Sequence, residues 1–362
     1  QIFLIIGLCL LVIIAEIFMA ELILLLAPGF ADTPERLRAA IDLARITMPY
    51  LPLISIVALW AAIANAHDHF KAGAAAPIIA NVCFIAGALL IPLIASQMGM
   101  MRAVPVAVAL LVAGLAQLGF LYWTLARIDA VPALVWPRLS DAGRKMWRNF
   151  LPAAAGAGGM QINLLIDLIL ASLLPVGAIS WLYYADRVAQ LPLGIVGIAL
   201  GTALLPRLSA AEAGSRSAEV RDSLAEAVGL AGFLVIPAVA GLVLCGLSIM
   251  QGLFVYGAFD ESDAQMAALA LTAYGCGLPG FVMVKILQTA FYAAGQPGIV
   301  LKVSLTTVAI NVAGSLLLMP ILGHVGLALA PAISGTAAAT IMVVLLARPK
   351  RVSTAFPSGL AN

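Results

Sequence analysis

The feature that most constrains this chain is a recurrence of uninterrupted apolar stretches of about 20 residues, the length a helix needs to cross the hydrocarbon core of a bilayer. Ten such stretches are read from the sequence, at 2–27, 46–66, 74–96, 104–126, 150–174, 178–205, 226–253, 264–290, 299–319 and 327–347. Only short polar links separate most of them. The chain is 63% hydrophobic and 10% charged, whereas a soluble domain carries roughly 25% charged residues. No soluble fold can hide that much apolar surface. An outer-membrane barrel would instead show roughly ten-residue segments of alternating polarity, and the sequence has neither that length nor that alternation. The expected fold is all-α: a polytopic integral membrane protein of about ten transmembrane helices in two bundles.

The link at 127–149 is the longest polar interruption and carries five basic and two acidic residues. It divides the chain into a four-span part (1–126), a basic linker, a six-span part (150–347) and a tail (348–362). Because consecutive spans alternate sides, orientation follows from where Lys and Arg fall. With the start of the first span inside, thirteen basic residues lie on the inner side, among them Lys71, Arg127, Arg138, Arg221 and Lys302. Four lie outside, Arg36, Arg38, Arg45 and Arg102, and two fall within spans, Arg187 and Lys285. The linker and the tail are therefore expected on the cytoplasmic side of the membrane. A faint repeat crosses the linker: Leu51-Pro52 and Ala66 align with Leu278-Pro279 and Ala293 at an offset of 227. Repeated bundles with the substrate between them are common among secondary transporters. The first residue is Gln1, with no initiator Met and no basic signal segment before the apolar run, so helices are expected to precede it.

The net charge of +2, without a basic run interleaved with aromatics, sets nucleic acid aside. Cys9, Cys83, Cys245 and Cys276 are scattered in apolar stretches and read as packing or lipid-facing residues. His67 and His69 lack a third ligand and read as interface polarity rather than a metal site. There is no GxSxG, HExxH or GxxxxGK[ST] pattern, so no catalytic constellation is expected. The Gly-rich run at 155–159 reads as close helix packing.

Charges placed in the bilayer are costly and are usually kept for a cavity or an ion path. Six stand out: Glu16, Glu21, Asp167, Asp186, Arg187 and Lys285. Glu16 and Glu21 are about 140° apart around a helix and cannot share one pocket; Glu21 reads as interfacial and Glu16 as deeper. Arg187 offers a planar fork suited to phosphate oxygens; alternatively it is a structural arginine neutralised by Asp186 or Asp167. Tyr183 and Tyr184 add hydroxyls nearby. Lys285 lies mid-span after Pro279-Gly280, either buried or reaching toward the inner face. Arg187, Asp186, Tyr184 and Lys285 are the candidates for substrate contact. Asn163 and Asp167 share a helix face, as do Asn311 and Ser315. Together they form either an oxygen-rich cation site or an interhelical hydrogen-bond network.

The stretch Gln161-Ile-Asn-Leu-Leu-Ile-Asp167, then Trp181-Leu-Tyr-Tyr-Ala-Asp-Arg187, Leu191-Pro-Leu-Gly and Gly197-Ile-Ala-Leu-Gly-Thr, resembles the core of the bacterial lipid II flippases. These form the MurJ/MviN family of the multidrug/oligosaccharidyl-lipid/polysaccharide exporter superfamily. Ala27-Pro-Gly-Phe-Ala31 and the segment from Gly277-Leu-Pro279 through Lys285 to Tyr292 agree with it. The resemblance implies a fourteen-helix carrier with two lobes around a cavity, of which this chain covers the third to the twelfth helix. It further implies that Arg187 is the cavity arginine of the eighth helix. Asp167, Asn311 and Ser315 match a sodium site found in some members, with Ser315 standing where those members have an acid. The partners implied are lipid II, an undecaprenyl diphosphate-linked precursor, and membrane lipids; the only cofactor implied is Na+ as a coupling ion. No bond is made or broken, so the chain is read as a transporter rather than an enzyme. The rival readings are another exporter of the superfamily, for drugs and cations or for polysaccharide lipids; a scaffold subunit, against which the in-span charges argue; and a channel, for which no filter-like loop is present.

Overall fold

A computed structural model describes residues 2–98, 103–132, 161, 163–198, 204, 206, 208–210 and 217–347. Among these the regular structure is helical. The chain divides into two compact units, residues 1–156 and 157–362. Unit 1 contains α1 (Ile2–Ile17), α2 (Met19–Leu26), a short 3-10 turn at Pro28–Phe30, α3 (Pro34–Thr47), α4 (Tyr50–Ala66), α5 (Phe70–Met98) and α6 (Val104–Ala126). Unit 2 contains α7 (Asn163–Ser172), α8 (Ala178–Pro192) running into a π-helical turn at Leu193–Ile198, then α9 (Ser217–Leu244), α10 (Gly246–Phe254), α11 (Glu261–Ala293), α12 (Pro297–Leu322) and α13 (His324–Leu346).

These segments are helices because a single segment can pair its own backbone N–H and C=O groups inside hydrocarbon only as a helix. Their outer faces carry large apolar side chains in numbers that water would not tolerate, with Leu89, Phe233 and Leu244 exposed at 70%, 75% and 81%; such a surface belongs against lipid. Helix starts are set locally. Pro34 and Pro297 occupy first-turn positions, where a missing N–H costs nothing. Asp260 caps α11 by accepting from the Ser262 and Asp263 backbone, while the Asp263 carboxylate accepts from the Asp260 N–H, a reciprocal capping box.

The faint repeat in the sequence proves to be a repeat of helices. The break between α1 and α2 falls at Phe18 and that between α9 and α10 at Cys245, 227 residues later. Both residues leave the helical region in a similar way, with φ of −102° and −106°. The continuous run Pro34–Ala66 and α11 are each 33 residues long and are displaced by the same 227. So are the starts of α5 and α12. Finally, α6 and α13 are each 23 residues long. In unit 2, α7 and α8 precede this series.

Two expected spans are corrected. The stretch 2–27 is not one helix but a pair bent by 83°, and 226–253 is interrupted at Cys245. Neither break contains a proline, so the apolar pattern runs straight through it. The polar segment before residue 46 continues the helix of α4 rather than forming a loop, giving Pro34–Ala66. Seven described helices are long and apolar enough to cross a membrane, eight if the bent pair is one span, against the ten expected. The expected span 150–174 is described only at 161 and from 163 onward, and 178–205 is continuous only to Ile198. Most of the linker, the Gly-rich run at 155–159 and the tail lie outside the described residues.

The cores differ in how the helices approach. In unit 2, α11 packs against α8, α9, α10 and α13 through small residues: a Cβ on Gly277 would lie 2.6 Å from Ala332 Cβ, and one on Gly280 would lie 2.8 Å from the Thr336 backbone nitrogen. Small residues allow such close approach where lipid supplies no hydrophobic drive between helices. In unit 1, a Cβ on Gly114 would meet the Tyr50 ring at 2.9 Å, so an aromatic side chain rather than a backbone fills the gap.

Candidate functional site

The polar side chains that the sequence singled out in unit 2 form two clusters. The first joins α7 to α12. Asn311 is buried and donates its amide Nδ2 to Asn163 Oδ1 at 2.9 Å and to Asp167 Oδ1 at 3.2 Å. Asn163 Nδ2 in turn donates to Asp167 Oδ2 at 3.3 Å. A carboxylate only accepts, so both amides turn their NH2 groups toward it. That orientation leaves Asn311 Oδ1 without a hydrogen-bond partner, and Ser315 Oγ one turn further on is also buried and unpartnered. Buried polar atoms are rarely left so. The cluster is thus a hydrogen-bond network, and it retains two orphaned oxygens on the face that carries Asn311 and Ser315.

The second cluster lies on α8. Asp186 and Arg187, adjacent in sequence, do not pair: no described carboxylate forms an ion pair with Arg187. Instead Arg187 donates Nη1–H to Gln190 Oε1 at 3.3 Å, and Gln190 donates Nε2–H to Asp186 Oδ2. The Arg187 guanidinium sits 4.9 Å from the centroid of the Tyr183 ring. Arg187 is exposed on unit 2 and Asp186 is half-buried.

The structure does not gather all four expected substrate residues into one site. Tyr184 turns away from Arg187 into an aromatic cluster, with ring centroids 4.6 Å from Phe254 and 5.2 Å from Phe259; the tyrosine beside Arg187 is Tyr183. Lys285 is exposed on α11 and lies beside the π turn, its Cγ 3.6 Å from where a Gly197 Cβ would be. Near the other ends of α8 and α11, Trp181 Nε1 donates to Asp263 Oδ1 at 2.6 Å, so the two helices run in the same direction. Gly197 lies ten residues beyond Arg187, on the order of 15 Å of helix. Arg187 and Lys285 are therefore successive positive positions along unit 2, not one clamp. In unit 1, Glu16 lies 3.9 Å from Arg45, while Glu21 is exposed. Two apolar grooves, of about 550 Å³ beside residues 68–72 and about 510 Å³ along α11 and α13, contain none of these candidates.

Gln190 and the role of Tyr183 were missed in the sequence. The signal was present in spacing: Tyr183, Asp186, Arg187 and Gln190 stand at i, i+3, i+4 and i+7, one face of a helix. An uncharged amide in a span simply draws less notice than a charge.

A doubled series of bent and long apolar helices, with charges placed inside the spans, defines a multi-pass α-helical membrane protein. Solved structures agree on the fold. A lipid II flippase MurJ in an inward closed conformation superposes with a TM-score of 0.77 at 22% identity, covering 94% of this chain and 70% of its own. An inward-facing multidrug resistance MATE family transporter of the MOP superfamily gives 0.72 at 16% identity, covering 94% and 78%. The chain belongs to the family described as Lipid II flippase MurJ, which matches residues 1–360. The probable lipid II flippase MurJ of Rickettsia prowazekii (strain Madrid E) is 34% identical over 336 residues, 92% of this chain and 65% of its own length. That of Rhizobium tropici is 35% identical over 342 residues, 94% and 64%. The chain thus spans about 65% of the length of these relatives.

Proposed function

We propose that this chain is the greater part of a carrier that moves lipid II, a polyprenyl diphosphate-linked head group, from the cytoplasmic to the periplasmic leaflet by alternating access, for cell-wall synthesis. The observation that carries the reading is Arg187. It is an arginine within a span, exposed on its unit, with no described carboxylate in direct ion-pair contact. A guanidinium without a direct ion pair in a membrane is expensive, and its planar fork suits paired phosphate oxygens. Family membership supports the substrate class. An exporter of organic cations would gain nothing from an exposed arginine without a carboxylate in ion-pair contact, which weighs against the drug or cation antiporter reading.

The test is flipping of the cell-wall precursor by the full-length protein, normalised to its abundance in the membrane. Arg187→Ala and Arg187→Lys should both abolish flipping at normal abundance. Normal flipping in Arg187→Ala would refute the assignment. If instead Arg187→Lys works and Arg187→Ala merely fails to accumulate, the arginine is a packing residue.

Sodium as coupling ion is supported by a separate observation, the orphaned Asn311 Oδ1 and Ser315 Oγ beside a carboxylate. Asp167, Asn311 and Ser315 are an all-oxygen donor set of the kind a hard cation takes. They would hold the ion, which would offset the Asp167 charge between α7 and α12. Sodium should raise the melting temperature of the full-length protein, and Asp167→Asn should remove that rise. A sodium response that persists in Asp167→Asn would leave the cluster as a hydrogen-bond network alone.

A further inference from the structure

Arginine has five N–H donors and no acceptor, a carboxylate only accepts, and a primary amide does both. Gln190 uses both capacities at once, accepting from Arg187 Nη1 at 3.3 Å and donating to Asp186 Oδ2. The amide therefore stands between two opposite charges that adjacency in the helix keeps apart. Had Asp186 paired with Arg187 directly, the carboxylate would have occupied the edge of the fork that a bidentate anion needs. Through Gln190 the carboxylate is anchored to the same network while it takes up none of the guanidinium donors. On the other side, the Tyr183 ring lies 4.9 Å from the guanidinium carbon, within range of a cation–π contact, and Val188 and Ala189 beside the bridge are buried in the core of unit 2. The backbone that carries the bridge is thus fixed by packing, while Arg187 and Gln190 face outward.

We infer that Gln190 is the positioning residue of the Arg187 anion site, holding the fork over Tyr183 with most of its donors free and keeping Asp186 from quenching it. Asp186 is then an anchor for Gln190 and not a substrate contact. The inference rests on the reading of Arg187 as a diphosphate ligand and deepens it: the site recognises a doubly charged phosphate group that can take several donors of one guanidinium. A pre-held arginine loses less freedom on binding than one that must be ordered by its ligand.

The test is a double-mutant cycle on the purified full-length protein, with farnesyl diphosphate as probe and farnesol as the uncharged control. Melting temperature is recorded for every variant. Arg187→Ala should weaken farnesyl diphosphate binding at least about tenfold, without changing farnesol binding. Gln190→Met, which keeps the length and removes both hydrogen-bonding atoms, should weaken it about fivefold in the presence of Arg187. In the Arg187→Ala background the same change should have no further effect, because Gln190 acts only through Arg187. Gln190→Ala serves in the same cycle if the Met variant does not fold. Unchanged affinity in Gln190→Met, or an equal loss in both backgrounds, overturns the positioning role while Arg187 remains a ligand. If Arg187→Ala binds the diphosphate normally, both the diphosphate reading and the positioning role fall.

Discussion

The two units repeat one series of helices at nearly one spacing, yet their polar groups sit at different places in it. Asn311 and Ser315 of unit 2 correspond at the 227-residue displacement to Phe84 and Ala88 of unit 1, and Lys285 corresponds to Ala58. Unit 1 has its own buried amide, Gln117 on α6, which donates Nε2–H to the Ala76 carbonyl at 2.8 Å and accepts from the Tyr50 hydroxyl at 3.5 Å. That network is neutral and ties α4, α5 and α6 together. The unit 2 network contains a carboxylate and two orphaned oxygens. The helical series is therefore a scaffold, fixed by the demand that backbone groups be paired in lipid. What a unit does depends on which few positions carry charge.

Packing gives the largest expected difference. Gly280→Leu would drive a side chain into the Thr336 backbone, whereas Gly114→Leu meets the Tyr50 ring, which can move. Overpacking costs about 1–3 kcal/mol and more where the obstacle is rigid. The yield of monodisperse full-length protein should collapse for Gly280→Leu and fall only in part for Gly114→Leu; equal losses would mean the units are packed alike after all.

Next come the buried amides. Asn311→Leu strips a donor from Asp167 and should cost about 1.5–3 kcal/mol, as hydrogen bonds to charged groups do. Gln117→Leu removes neutral hydrogen bonds and should cost about 0.6 kcal/mol, the average for interhelical bonds within membranes. Thermal melting with and without sodium sharpens the contrast: only Asn311→Leu should also lose the sodium response. A larger drop for Gln117→Leu would reverse the assignment of the structurally critical network.

The smallest effect is expected at Glu16. Its contact with Arg45 is long, 3.9 Å, and the two side chains are 30% and 52% exposed. Ion pairs of this kind contribute about 0–1 kcal/mol. Glu16→Gln should leave the melting temperature within about a degree or two of the parent. A clear fall would give unit 1 a charge on which its structure depends, and the contrast with unit 2 would narrow.

Much of the fold was legible from composition and run length. The span 104–126 matches α6 at both ends, and the spans at 264–290, 299–319 and 327–347 each lie inside a described helix apart from terminal residues. Long apolar runs leave the backbone one solution in lipid, so such helices follow from hydropathy. The breaks at Phe18 and Cys245 were not legible, because no proline marks either of them and the apolar run continues through both. Part of the candidate site was legible too: Asp167 with Asn311, and Arg187, were marked by the cost of polarity at depth.

By itself, then, the sequence determined that this is an α-helical membrane protein, carried a faint trace of a repeat, and marked which costly residues had to be accounted for. Tertiary structure decided who meets whom. It brought Asn163, Asp167 and Asn311 together across 148 residues of chain, turned Tyr184 into an aromatic cluster, and set Gln190 between Asp186 and Arg187. Hydropathy is a sum over residues and survives without coordinates; a hydrogen bond depends on distance and direction to a particular partner, which only the packed helices provide.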